Sequence, residues 1–204
     1  MGRFAELLAH DGVEEDIELR STFGFMAFHG GNLEVGTDIA ARAAAEQSGA
    51  SLYAVRQPPD LRWHIPSIEV TPNDSPGLAR FLQHVDVVVA LHGFGREGFW
   101  TTLLLGGGHR PLAAHLATHL RPALPSYRIV DDLDEIPLEL RGVHRNNPVN
   151  LTRGGGVQIE LPPRVRSHGP FWADLPADAP IPHTAELVAG LVAAATTWPL
   201  SPTG

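Results

Sequence analysis

Two apolar runs each end on a histidine followed by glycine, and this pairing narrows the possible folds more than any other feature of the chain. Residues 23–28 (FGFMAF) run into His29-Gly30-Gly31, and residues 86–91 (DVVVAL) run into His92-Gly93. The second run is near-continuous in Val, Ala and Leu, the pattern of a strand buried on both faces, as in sheets covered by helices. Ligand sites in open α/β sheets gather outside the carboxyl ends of the strands, so His29 and His92 are predicted to converge. Glu34 follows in the loop after His29, and Gly30 and Gly31 permit the tight backbone path that brings the two side chains to one point. A neutral imidazole and a carboxylate are natural ligands for zinc.

The surrounding pattern alternates strands and helices, which predicts an α/β layered fold. Residues 4–10 form a short helix, and the acidic run Glu14, Glu15, Asp16 carries no sign of chemistry. A helix opens at Thr37, with Asp38 at the positive end of its dipole, buries Ile39, Ala40, Ala43 and Ala44 and stops at Ser48-Gly49. Strands are expected at 51–55, 67–70, 100–105, 127–130 and 157–161, and helices at 76–84, 110–120 and 183–197. A Pro-rich excursion over 57–66 can wall a cleft. Residues 167–182 are expected to be an irregular surface segment, and the tail from Thr196 onward to fray. No boundary or repeat divides the 204 residues, so the expectation is one domain over 1–204, with its motif-bearing core at about 23–166.

Composition excludes several classes of function. Without cysteine there is no disulfide framework and no thiolate nucleophile or ligand, so any metal must be held by His, Asp or Glu. All 15 basic residues are arginine and the net charge is -8, which lacks the surplus a nucleic-acid partner requires. The N-terminal stretch MGRFAELLAHDGVEED is acidic where a signal peptide is basic, and no run is long enough to span a membrane; the expected address is the cytoplasm.

Other candidates are weaker. His115 and His119 share a helix face, but the residue after His115 is Leu116 rather than the glutamate of a helical zinc-hydrolase motif, and the pair is expected to be solvated. His64, His84, His109, His144, His168 and His183 are expected at the surface or satisfied in the core. Glu160 alternates with Val157, Ile159 and Leu161 and shares a face with Gln158, so its carboxylate either meets solvent or serves a cleft. The glycines at 154–156 match no phosphate-binding pattern, and no GxSxG elbow is present.

Four ordered motifs, HGGNLEVGT (29–37), VVVALHGF (87–94), LLLGG (103–107) and NPVN with GGGVQIEL (147–161), resemble those of the phage-type poly-γ-glutamate hydrolase family. The resemblance implies a single-domain mixed β-sheet flanked by helices, similar to zinc carboxypeptidases, and a zinc-dependent hydrolase of γ-glutamyl amide bonds. It further implies one Zn2+ per chain on His29, Glu34 and His92, with Glu160 as the catalytic carboxylate. Two imidazoles and one carboxylate leave a fourth position for water, as a catalytic site requires. An anionic γ-glutamyl polymer needs cationic partners, and Arg96, Arg145 and Arg153, together with Asn150, lie nearest the motifs. The chain departs from the family at Leu151, where many members carry arginine. That departure admits a small N-acyl amino acid or γ-glutamyl peptide as substrate; a metal-containing binding module without turnover is a further alternative.

Overall fold

The computed structural model describes residues 2–167 and 182–199, and its centre is a seven-stranded mixed sheet. In chain order the strands are β1 (Glu14–Glu18), β2 (Phe23–Gly31), β3 (Ser51–Gln57), β4 (Val87–Gly93), β5 (Thr102–Leu105), β6 (Arg128–Val130) and β7 (Gly156–Leu161). The helices are α1 (Arg3–Leu8), α2 (Thr37–Ser48), α3 (Pro76–His84), α4 (Arg110–Ala123) and α5 (Pro182–Thr197). Across the sheet the order is β1-β3-β2-β4-β7-β5-β6. The three central strands β2, β4 and β7 run parallel, so their carboxyl ends lie on one edge of the sheet; β1 and β5 are antiparallel to β3 and β7.

Period-two alternation divides each central strand between two cores. Phe25 and Ala27, Val89 and Leu91, and Val157 and Ile159 join the alanines of α2, the leucines of α4, and Leu187 and Leu191 of α5. Met26 and Phe28, with Val88 and Ala90, pack instead with Phe4 and Leu7 of α1 and with Leu78 and Phe81 of α3. His92 continues the Val88, Ala90 series, and Gln158 and Glu160 alternate with Val157, Ile159 and Leu161. Strict alternation would send His29 with Phe25 and Ala27. An extra residue in β2 between Ala27 and Gly30 breaks that alternation, and the His29 ring stands 5.0 Å from that of His92.

One element was not anticipated, and several local expectations are corrected. The acidic run is an edge strand, β1: Arg42 pairs with Asp16 and Glu18, Arg56 pairs with Glu14, and the Tyr53 hydroxyl donates to Glu15 at 2.7 Å. Charges on an edge discourage pairing with another chain, so these carboxylates serve the fold. The strand expected at 67–70 is a 3-10 turn, Ser67–Glu69, closed by Glu69 N–H donating to the Pro66 carbonyl. The residue before α2 is Gly36 in the left-handed region (φ 87°), where a side chain would be strained, and the Thr37 hydroxyl donates to the Glu34 carbonyl rather than capping the helix. His115 and His119 are not a free solvated face: both approach the Thr197 hydroxyl at the end of α5, and the His115 ring packs on Trp198. The expectations for residues 168–181, for His168 and for the tail beyond Pro199 fall outside the described residues.

Gly24 marks how closely α3 packs. A Cβ at that position would stand 2.6 Å from Phe81 Cζ and 2.9 Å from Val85 Cγ1. Gly24→Ala is expected to cost about 1–3 kcal/mol through overpacking. Phe81→Leu in the same chain should return part of that loss, so urea unfolding of the four-member cycle gives a double variant at least ~0.5 kcal/mol more stable than additivity predicts.

Candidate metal centre

The carboxylate of Glu34 joins two strand ends. Its loop leaves β2 by a turn in which Glu34 N–H donates to the His29 carbonyl at 2.9 Å, which folds the side chain back over the strand it has just left. Oε1 lies 2.9 Å from His29 Nδ1, while Oε2 accepts from Gly93 N–H at 2.9 Å and lies 3.4 Å from His92 Nδ1. His29 Nε2 faces the Ile65 carbonyl at 2.8 Å. A carbonyl can only accept, so Nε2 carries the proton, and in that tautomer the Nδ1 lone pair beside Glu34 is free for a metal ion. A backbone carbonyl on the far nitrogen is the usual partner of a metal-ligating histidine.

Glu160 stands one strand away. In the parallel pairing of β4 with β7 it is opposite His92, and on its other side it is opposite Leu104 of β5. It is only 5% exposed, so the solvent-facing alternative for this residue does not hold. A short relay orients it. Val149 N–H donates to Asn147 Oδ1, which leaves Asn147 Nδ2 to donate to Gln158 Oε1 at 2.7 Å, and Gln158 Nε2 then donates to Glu160 Oε1 at 2.7 Å. Each amide is thus fixed in direction by the one before it.

The two carboxylates are driven apart electrostatically. Burial raises Glu34, but His29 and His92 outweigh it and hold the group well below the usual carboxylate range. Burial also raises Glu160, and the Glu34 charge adds to it; His92 and the Gln158 amide oppose without reversing it, so the net direction is upward. For His92 burial works against the imidazolium, and the Glu34 and Glu160 charges more than offset it. One carboxylate is therefore suited to remain ionised and the other to exchange a proton.

These four residues share a cleft of about 560 Å³, walled by residues 66–68 on one loop and by residues 138–140 and 142–144 on another. The donor chemistry suits a zinc ion, and the residues whose donor atoms all lie within 4.8 Å of one another are His29, Glu34 and His64, with His92 beside the other Glu34 oxygen. Ligands about 2.1 Å from a tetrahedral zinc stand about 3.4 Å apart; the His92 Nδ1 to Glu34 Oε2 distance is 3.4 Å, and the His29 Nδ1 to Glu34 Oε1 distance is 2.9 Å. His64, expected to be a surface or core residue, instead lines the cleft: a ring nitrogen lies within 4.8 Å of ligand atoms of both His29 and Glu34, and its ring is 5.0 Å from that of His29.

The structure does not bring the four substrate-binding candidates into this cleft. Arg96 is exposed and paired with Glu139 at 2.6 Å, Arg145 is exposed, and Arg153 pairs with Asp86 just before β4, at the end of that strand opposite His92. Asn150 uses its amide on the backbone: Oδ1 accepts from Gly108 N–H, and Nδ2 donates to the carbonyls of Gly142 and His144. Leu151 is exposed and outside the cleft.

Sequence reasoning missed Arg166. Its buried guanidinium donates from Nε to the Leu161 carbonyl at 3.0 Å and from Nη1 to the Val35 carbonyl at 2.6 Å. It lies against Gly93, where a Cβ would stand 2.6 Å from its Cζ. One side chain thus ties together the neighbours of Glu34, His92 and Glu160.

The amide relay yields a test. Asn147→Asp sets an acceptor against Gln158 Oε1, so the Gln158 amide turns over and its oxygen faces Glu160. Hydrolytic kcat is expected to fall about 10–100-fold, with circular dichroism unchanged; full activity would remove the relay from any role in orienting Glu160.

Comparison with known proteins accords with this geometry. None of the curated proteins matches the chain. Among solved structures, a bacteriophage poly-gamma-glutamate hydrolase superposes with a TM-score of 0.72 at 20% identity, over 93% of this chain and 91% of that one. Zinc-free YNDL superposes with a TM-score of 0.72 at 23% identity, over 89% of this chain and 88% of that one. The gene product Atu2144 of Agrobacterium tumefaciens is more distant, with a TM-score of 0.53 at 13% identity. At these identities the likeness establishes the fold. The family model for poly-gamma-glutamate hydrolase matches residues 3–172, most of the chain, and the protein therefore belongs to the poly-gamma-glutamate hydrolase family.

Proposed function

We propose that this protein is a zinc-dependent hydrolase of γ-glutamyl amide bonds, with the whole chain acting as one hydrolase unit. The observation that carries this reading is the approach of two imidazole Nδ1 atoms to one buried carboxylate, with a second carboxylate of raised proton affinity on the adjacent strand. His29, Glu34 and His92 would hold the metal, and Glu160 is the general base and acid. Zinc bound there supplies a Lewis acid that activates water near neutral pH and polarises the amide carbonyl. Glu160, held through Oε1 by Gln158, takes the proton from the attacking water and returns it to the leaving amine. Its burial and the nearby negative charge of Glu34 favour the protonated form needed for that return. Gly93 N–H and the Ile65 carbonyl keep Glu34 and His29 in register while this happens. Poly-γ-glutamate, the polymer for which the family is named, is the first substrate to try.

A second reading keeps the same chemistry on a small N-acyl amino acid or γ-glutamyl peptide. It is favoured by the absence of any arginine from the cleft lining. Product analysis on polymer and on dipeptide separates the two.

Protein purified without added zinc is expected to carry about one zinc per chain. Chelation should remove both metal and turnover, and readdition should restore both; undiminished hydrolysis by the metal-free protein would refute the proposal. Glu160→Gln should lower kcat by at least ~1000-fold, within the usual scale for losing a proton-transfer group, while zinc content stays at one. His92→Ala should instead lose the metal.

A further inference from the structure

The two walls of the cleft are tied to different parts of its floor. On one side stands His64, its ring 5.0 Å from that of His29. The other wall lies on Gln158, the amide that holds Glu160. Asn147 donates to Gln158 Oε1 at 2.7 Å, and Gly142, with φ 63°, comes so close that a Cβ there would stand 2.8 Å from Gln158 Cδ. His144 sits between these two contacts in the chain and lines the cleft.

The backbone around His144 is held firmly. Its carbonyl accepts from Asn147 N–H at 2.9 Å and from Asn150 Nδ2 at 3.0 Å, and Asn150 is itself anchored by Gly108 N–H. The ring is fixed in tautomer as well: Asn146 N–H donates to Nδ1 at 3.2 Å, so Nε2 carries the proton. The side chain is exposed, and among the described residues no group accepts that proton. A donor set in this way gives a ligand a hydrogen bond at little further cost in order.

The guanidinium groups near the cleft are committed elsewhere. Arg166 lies against Gly93, but its Nε and Nη1 serve the carbonyls of Leu161 and Val35, and Arg96 pairs with Glu139. Glu160 delivers its proton to the leaving amine, which therefore lies on the side of Gln158 and of the His144 loop. In a γ-glutamyl amino acid, as in the γ-linked polymer, the carbon bonded to that nitrogen carries a carboxylate.

We infer that His144 donates from Nε2 to this carboxylate, on the leaving side of the scissile amide, and so selects a γ-glutamyl amino acid or polymer over a simple γ-glutamyl alkylamide. This rests on the reading of the site as a zinc amide hydrolase with Glu160 as the acid, and adds the residue that recognises the substrate's charge. An imidazole N–H meeting a carboxylate makes a charge-assisted bond, stronger than one between neutral groups. Asn150, expected from the sequence to bind substrate, serves instead by holding the His144 carbonyl.

γ-Glutamyl-alanine and γ-glutamyl-ethylamide differ only in that carboxylate. Titration calorimetry on the zinc-loaded Glu160→Gln chain is expected to give γ-glutamyl-alanine at least ~10-fold tighter binding, the scale of one hydrogen bond to a charged group. His144→Ala in the same background should weaken γ-glutamyl-alanine by ~10-fold and leave γ-glutamyl-ethylamide within ~2-fold, a split that a merely structural role would not produce. Equal affinities before that substitution, binding of neither amide, equal loss for both, or a preference indifferent to His144→Ala would overturn the inference. Cleavage of the two amides by the chain with Glu160 intact is followed in parallel. A binding preference that depends on His144, with neither amide cleaved, would refute the hydrolase reading while leaving the carboxylate subsite in place.

Discussion

A single buried carboxylate, Glu34, holds the ends of two parallel strands together, and the rest of the centre is arranged around it. Taking such a group out of water is costly, and the cost is offset only where its lone pairs are matched. Here one oxygen meets His29 Nδ1, and the other meets Gly93 N–H and the edge of His92. Those partners come from β2 and β4, so satisfying the charge fixes the relative position of the strand ends. The extra residue in β2 belongs to the same arrangement, since it is the departure from strict alternation that lets the His29 ring stand beside that of His92.

The centre combines two electrostatic environments a few ångströms apart. Glu34 is surrounded by imidazoles, and its proton affinity falls; Glu160 sits deeper among the sheet strands, with one amide donor, and its proton affinity rises. The difference comes from the neighbours rather than from burial, because both carboxylates are largely withdrawn from solvent.

How much of this was legible in the sequence follows from the range of each interaction. The strands carrying His29 and His92 announce themselves locally, through apolar runs that stop at glycine, and the shared face of Gln158 and Glu160 follows from period-two geometry alone. The role of that face required knowing that β7 lies between β4 and β5, which no local pattern encodes. Arginines near the motifs in sequence were drawn to other partners: Arg153 to Asp86, and Arg96 to Glu139. Arg166 was overlooked because its partners are the carbonyls of Val35 and Leu161, and carbonyls leave no trace in a sequence. The acidic β1 lacked the apolar alternation by which strands are found; it pairs through backbone bonds to β3 and through arginines and a tyrosine distant in sequence.

The strand order has a consequence for how the molecule comes together as it is made. β5 and β6 pair with each other, but β5 reaches the rest of the sheet only through β7, which is synthesised after both. Until β7 inserts, the chain can hold two fragments of sheet, one carrying His29, Glu34 and His92 and the other carrying neither ligand nor base. The insertion joins them and delivers Glu160, with the Arg166 clip arriving a few residues later. Closure of the sheet and assembly of the proposed centre are therefore one event, and a chain that stops short of β7 would bring together His29, Glu34 and His92 without Glu160.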